Sequence, residues 1–202
     1  MSAEEIAAAY DDLADRLARW RRLDRLFAGR YRGRQFGEAA GRVLDVACGT
    51  GRNFRYLREA TAVVGIDISA NVLDHARDEL DRLSQDGAVH RMDAQALAFP
   101  DDSFDTVVSS FSTCTFPDPV GAIEEMARVC APDGRVLLLE HSRSDVAPIA
   151  RLQDWRAEPH YEEIGCRVNH EPLETVRQAD VTVEDAEGAL LGLLTTIELS
   201  PK

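Results

Sequence analysis

Apolar residues recur along this chain with two different periods, and the change from one to the other marks its parts. Ile6, Tyr10, Leu13, Leu17 and Trp20 fall at steps of four and three. That spacing predicts an amphipathic helix within residues 1–36, continued by Leu23, Leu26 and Phe27 and either ended or restarted as a second short helix at Gly29. From residue 43 the apolar runs are solid instead of periodic. Residues 43–47, 62–69, 88–94, 104–111 and 136–140 read as strands apolar on both faces, as in a parallel sheet covered by helices on its two sides. Between them, Phe54 and Leu57 suit a helix after the first strand, and Ser69 suits the cap of a helix reaching Leu83. Asp118-Pro119 opens another helix that ends near Val129-Cys130. Residues 99–103 and 131–135 are turns. The order β-α-β-α-β-β-α-β predicts an α/β domain with a mostly parallel sheet.

The pattern is fainter in the last third. A helix is expected over residues 146–157, a loop over 160–170 and a short helix over 172–179. Two closing strands, 181–183 and 190–199, would flank a turn at 184–188. No repeat, linker or low-complexity run interrupts the chain, so residues 1–202 form one expected domain, with 1–38 as a helical lid and 39–202 as the core.

Candidate chemistry starts where the first strand breaks into small residues, at Ala47-Cys48-Gly49-Thr50-Gly51. Glycines in a strand–turn–helix unit let a ligand approach the backbone. A dinucleotide turn would carry a third glycine where Phe54 stands, and a phosphate loop would end in Gly-Lys-Ser/Thr, which is absent. The acid Asp45 lies four residues before the first glycine, and that placement suits a cationic ligand. Asp67 closes the second strand, where α/β nucleotide folds hold a ribose, and Asp93 closes the third.

A formal net charge of −13 disfavours nucleic acid as a partner. Yet Arg16 to Arg34 holds eight arginines against the single acid Asp24, interleaved with Trp20, Phe27 and Tyr31. The plain reading is a wet helix face; the sharper one is a lid over the ligand or a peripheral contact with anionic membrane. With no apolar run of about 18 residues and no apolar leader, the expected location is the cytoplasm. Cys48, Cys114, Cys130 and Cys166 have no paired spacing and are expected as free thiols.

The runs Val43–Asn53, Val63–Leu73, Arg91–Ser112 and Ala131–Ser144 together resemble the class I S-adenosylmethionine (SAM)-dependent methyltransferases, most of all the branch with quinone-biosynthesis, phospholipid N- and thiol methyltransferases. The resemblance covers residues 40–143 strongly and the two ends weakly. It implies a Rossmann-like sheet of seven strands, six parallel and one antiparallel, with helices on both faces. It also implies SAM as cofactor, S-adenosylhomocysteine as product and a small-molecule methyl acceptor. Asp45, Ala47, Gly49, Gly51 and Asn53 would lie about the methionine moiety, with Asp45 near its amino group. Asp67 would accept from the ribose hydroxyls, Ile68 would pack on adenine, Asp93 with Ala94 would meet its amino edge, and Ser110 would face the methionine end. The acceptor pocket would come from the N-terminal helices, the loop after Ser110 and a substrate loop around residues 141–170.

Methyl transfer from a sulfonium is an in-line displacement whose main demand is orientation. A base is needed only where the acceptor must lose a proton. His141, directly after the fifth strand, is the candidate, with a structural or positioning role as its plain alternative. His160, Cys166 and His170 have no compact zinc spacing, so no metal is expected. The expected reaction is methylation of O, S, N or C on a small apolar or aromatic metabolite. A membrane-bound lipid or quinone acceptor, a cyclisation that leaves SAM intact, and a SAM-binding regulator without turnover are the alternatives.

Overall fold

The solid apolar runs become strands in the computed structural model, which describes residues 1–19 and 21–202 and, of these, all side chains but those of residues 21–23. Trp20 and the side chain of Leu23, expected on the apolar stripe, lie outside what is described. Strands β1 (Ala40–Val46), β2 (Glu59–Asp67), β3 (Gly87–Arg91), β4 (Phe104–Ser110) and β5 (Cys130–His141) pair in parallel, and β6 (Val181–Ala189) and β7 (Leu194–Pro201) complete the sheet in the order β3-β2-β1-β4-β5-β7-β6. Strand β7 runs antiparallel to both of its neighbours. This is the seven-stranded, mostly parallel Rossmann-like sheet expected, with its strand order reversing at β1 and β4.

Successive side chains of a strand point to opposite faces, and here both faces are buried. Leu44 and Val46 of β1 join a cluster with Ile123 and Met126 of α5 (Pro119–Val129). Val43 joins a second cluster with Phe36 of α3 (Gly29–Phe36) and with Leu73 and Leu80 of α4 (Ala70–Leu83). Asp45 shares the face of Val43 and is fully buried. Strand β1 thus carries a carboxylate into an apolar layer, a placement that folding alone does not favour.

Five expectations need correction. The segment after the first glycine turn holds only one 3₁₀ turn, Phe54–Tyr56, because β2 begins at Glu59 and leaves no room for a longer helix. The structure describes helices over Ala3–Arg19 (α1) and Arg21–Phe27 (α2), and the short helix α3 starts at Gly29, as expected. The apolar stripe of α1 is not carried onto α2, and Leu26 and Phe27 are 75% and 68% exposed. Helix α6 (Ala147–Ile164) runs through Pro159 instead of ending near residue 157. Proline removes one donor, here the one facing the carbonyl of Trp155, on an exposed stretch where water can replace it. Finally, β6 extends to Ala189, and the hairpin turn falls at residues 190–193, where Leu190, Leu191 and Gly192 have positive φ. The short helix α7 (Pro172–Val176) precedes that hairpin. The fifth strand also begins earlier than expected, at Cys130, with a register irregularity across the turn residues.

Gly51 shows how tightly the first turn is built. Its φ is +72°, and an added Cβ would lie 2.7 Å from the buried Phe54 ring and 3.3 Å from the Ala76 backbone. Left-handed backbone costs a non-glycine residue about 1–2 kcal/mol, and the ring contact adds to it. Gly51→Ala is therefore expected to lower the unfolding free energy in urea by more than about 2 kcal/mol, and parental stability would refute this account of the turn.

Candidate cofactor and acceptor site

A cavity of about 330 Å³ opens at the carboxyl ends of β1, β2, β4 and β5, where open α/β sheets receive ligands. Helix α1 covers it with Ala3, Ile6, Tyr10 and Leu17. Two of the contacts that fasten this cover lie beside the cavity. Asp11 of α1 accepts from Ser69 Oγ at 2.6 Å and from the Asn71 backbone at 3.0 Å, at the start of α4. Arg52, next to the glycine turn, donates to the Leu17 carbonyl at 2.6 Å and pairs with Asp24 at 3.0 Å.

Of the ten positions expected to meet the cofactor, Ala47, Gly49, Asp67, Ile68, Asp93, Ala94 and Ser110 line the cavity. Asp45, Gly51 and Asn53 stand behind its wall, all buried. Two wall residues that follow strands, Ala47 after β1 and Phe111 after β4, have φ of +53° and +55°. Non-glycine residues held there store strain of the kind that gathers at functional sites.

Asp67 ties the two halves of the nucleotide end together. Its Oδ2 accepts from the Gly49 backbone at 2.9 Å and its Oδ1 from the Ser69 backbone at 3.0 Å. A carboxylate has about four lone-pair sites, so both oxygens keep room for a ligand hydroxyl. Burial pushes this carboxyl up to about 6, against the opposing pull of the backbone donors. Asp93 is held in place by the backbone and side-chain amides of Gln95 at 2.9 and 3.0 Å.

The wall around Asn53 and Ser110, expected to meet the methionine moiety, depends on a residue that sequence reading did not single out. Arg32 of α3 is 2% exposed. Its Nη1 donates to Asn53 Oδ1 and Ser110 Oγ, its Nη2 meets Asp24, and its guanidinium lies 5.0 Å from the Phe111 ring centroid. Asn53 in turn donates to Asp45 Oδ1 at 2.9 Å. Three atoms of this group are buried without a partner: Asp45 Oδ2, Arg32 Nε and Thr50 Oγ1. Burial pushes the Asp45 carboxyl up to about 7, although Asn53 and Arg32 pull it down. Unmatched buried donors and acceptors are costly, and at a cavity wall they are what a zwitterionic ligand would satisfy.

At the opposite end of the cavity stand His141 and Cys166. Cys166 Sγ is 3.3 Å from His141 Nε2 and 3.4 Å from Cys114 Sγ, which lies buried just behind. The Cys114 thiol and the imidazole both stabilise the Cys166 thiolate and hold its pKa well down. Burial alone would lower His141, but that thiolate and the neighbouring Glu140 outweigh it and leave the imidazole raised. Glu140 is fully buried beneath the Ser112 and Thr113 backbone amides, and burial lifts its carboxyl to about 7. His170 instead meets the Thr113 hydroxyl at 3.0 Å. All four cysteines are free and buried.

Residues 44–138 match the model of a methyltransferase domain. The phosphatidylethanolamine N-methyltransferase of Cereibacter sphaeroides is 38% identical over 115 residues, which are 56% of this chain and 57% of that protein. The ubiquinone/menaquinone biosynthesis C-methyltransferase UbiE of Haemophilus ducreyi is 34% identical over 161 residues, 74% of this chain and 60% of that protein. The chain belongs to the class I SAM-dependent methyltransferases. Its cofactor is accordingly SAM. The chain spans about three-fifths of the length of these two relatives. Its fold is shared with a Haloferax volcanii chain solved in complex with the Trm112 methyltransferase activator, with a TM-score of 0.78, 21% identity and coverage of 96% of this chain and 98% of that one. No helix among the described residues is long and apolar enough to cross a membrane.

Proposed function

We propose that this methyltransferase moves the methyl group of SAM to a small apolar or aromatic acceptor lying between the glycine turn and the His141–Cys166 pair. The observation that carries the proposal is the polarity of this covered cavity: acids at its nucleotide end, an imidazole and a thiol at the other, and Tyr10, Phe111 and Phe116 along its wall. In this reading Asp67 accepts from the ribose hydroxyls, Ile68 flanks adenine, and Asp93 with Ala94 meets its amino edge. Arg32, with an unpaired Nε, takes the methionine carboxylate; Asp45, with an unpaired Oδ2, supplies the opposite charge behind Asn53 and Ser110. Bound SAM brings an activated methyl on a sulfonium. The protein holds the acceptor in line, and such orientation is worth several kcal/mol. Helices α1–α3 act as the cover, and residues 141–170 supply the acceptor side. We assign acceptor activation to His141.

Labelled SAM incubated with phenols, thiols, quinone precursors and phosphatidylethanolamine vesicles is expected to give a methylated product together with S-adenosylhomocysteine. A product formed with SAM left intact would overturn the assignment. With the acceptor so found, His141→Ala is expected to lower kcat by about a hundredfold or more while SAM affinity stays near the parent's. Unchanged kcat across pH would remove His141 from the chemistry. A lipid acceptor at a membrane surface is the second reading. Exposed Leu26 and Phe27, with exposed Arg25 and Arg30 near them in the chain, favour it, and the vesicle arm of the panel tests it.

A further inference from the structure

Cys114, His141 and Cys166 come from three separate segments: the turn after β4, the end of β5 and the residue following the Gly165 cap of α6. Their Sγ, Nε2 and Sγ atoms all lie within 4.8 Å of one another. Two of the three separations, 3.4 Å between the sulfurs and 3.3 Å between Cys166 and His141, approach the edges of a zinc tetrahedron. Zn–S of about 2.3 Å and Zn–N of about 2.0 Å make those edges roughly 3.8 and 3.5 Å. Cys114 closes the back of the group, while Cys166 and His141 face the cavity. A cation held here would have protein on one side and open space on the other. Three protein ligands with a free fourth position is the arrangement of catalytic zinc, and thiolate with imidazole suits zinc among the common divalent cations.

We propose that Cys114, His141 and Cys166 form a three-ligand site for a soft divalent cation of the zinc class, with its open position turned toward the acceptor end of the cavity. This deepens the assignment of acceptor activation to His141 and rests on that reading for its last step alone. There His141 acts as a ligand, and the acceptor is a thiol. The thiol binds the cation and loses its proton to solvent. Its sulfur then forms a bond to the methyl carbon, the sulfonium–methyl bond breaks, and that electron pair stays on the sulfur of S-adenosylhomocysteine. A thiol fits better than a hydroxyl or amine because the cation and the other ligands are soft.

The test uses the full reduced chain, stripped of metal, with neither SAM nor acceptor present. Zn²⁺ affinity is read by competition with a chromophoric chelator, and Co²⁺ serves as the spectroscopic probe. The expected result is one equivalent bound, a thiolate-to-cobalt charge-transfer band and the strong visible absorption of tetrahedral Co²⁺. Cys166→Ala and His141→Ala, both at the cavity wall, are each expected to weaken Zn²⁺ binding at least tenfold, about the lower bound seen even for residues that only orient ligands. Cys130→Ala, at the far end of β5, is expected to bind as the parent does. Retained SAM binding certifies that each variant is folded. Reduced parent that binds no Zn²⁺, or Cys166→Ala that binds it as tightly as the parent, overturns the proposal. Because methyl transfer is not measured, failure here is separate from failure of the proposed reaction.

Discussion

Asp67→Ala is expected to lose SAM binding by at least a hundredfold in calorimetry, the largest single effect on the cofactor site. The carboxylate already accepts from the Gly49 and Ser69 backbones, and in the proposed complex it also accepts from two ribose hydroxyls. Hydrogen bonds to a charged group are each worth about 1.5–3 kcal/mol, so two of them amount to roughly a hundredfold at the low end. The loss is compounded because the same oxygen positions Gly49 at the cavity wall. Burial of this acid disfavours its charge in the free protein, so its retention is better explained by a ligand than by folding. Parent-like affinity in Asp67→Ala would remove the ribose assignment.

The second large effect is a pH dependence with opposite signs for stability and for binding. Asp45 and Glu140 are pushed up to about 7 and Asp67 to about 6, in each case chiefly by burial. Folded values above the unfolded ones mean that the folded chain keeps protons that the unfolded chain releases. The stability this contributes is fully present below about pH 4 and is lost as pH rises through about 6 to 7. Each tenfold of proton affinity is worth about 1.4 kcal/mol, so the free protein should lose at least about 3 kcal/mol across that window. His170, held down to about 4 by burial, and Cys166, held down by Cys114 and His141, act in the opposite sense across the same window and offset part of this loss. The exposed pair of Asp154 with Arg143 opposes it only at lower pH. Cationic SAM favours the ionised forms of Asp45 and Asp67. Its affinity is therefore expected to rise between about pH 5 and pH 8, with protons released on binding near pH 6. Denaturant unfolding of the free protein, and calorimetry in buffers of different ionisation enthalpy, measure the two trends. A flat affinity across that range would contradict the assignment of these acids to the cofactor.

The central sheet was legible because a parallel strand buried on both faces must be almost wholly apolar, as Val63–Ile66 and Val136–Leu139 are and as Val43–Val46 is but for Asp45. Strand β6 was legible only over residues 181–183; the rest, Glu184–Ala189, lies on the sheet edge with mostly exposed side chains and shows itself only in its pairing with β7. The helix expected to end near residue 157 runs on through Pro159, because an exposed helix can lose one hydrogen bond and continue. At the site, the acids that end strands could be read because strand ends converge on one cavity. Arg32 could not, since its sequence neighbours Arg30 and Arg34 look the same and only Arg32 is buried. Its spacing from Gly29 and Phe36 on α3, three back and four forward, was the available signal. Cys114 and Cys166 stand 52 residues apart, and no local spacing could join them to His141.

The fastening of α1 also bears on the timing of turnover. Asp11 holds Ser69 by its hydroxyl, Asp67 holds the Ser69 backbone, and the other oxygen of Asp67 holds Gly49. The cover and the cofactor acid are thus two ends of one hydrogen-bonded relay with Ser69 in the middle. A movement of α1 that let product escape would loosen Ser69, two residues beyond Asp67. In the proposed reaction the departures of the two products would thereby be linked, and turnover would wait on the release of one helix as well as on the transfer of one carbon.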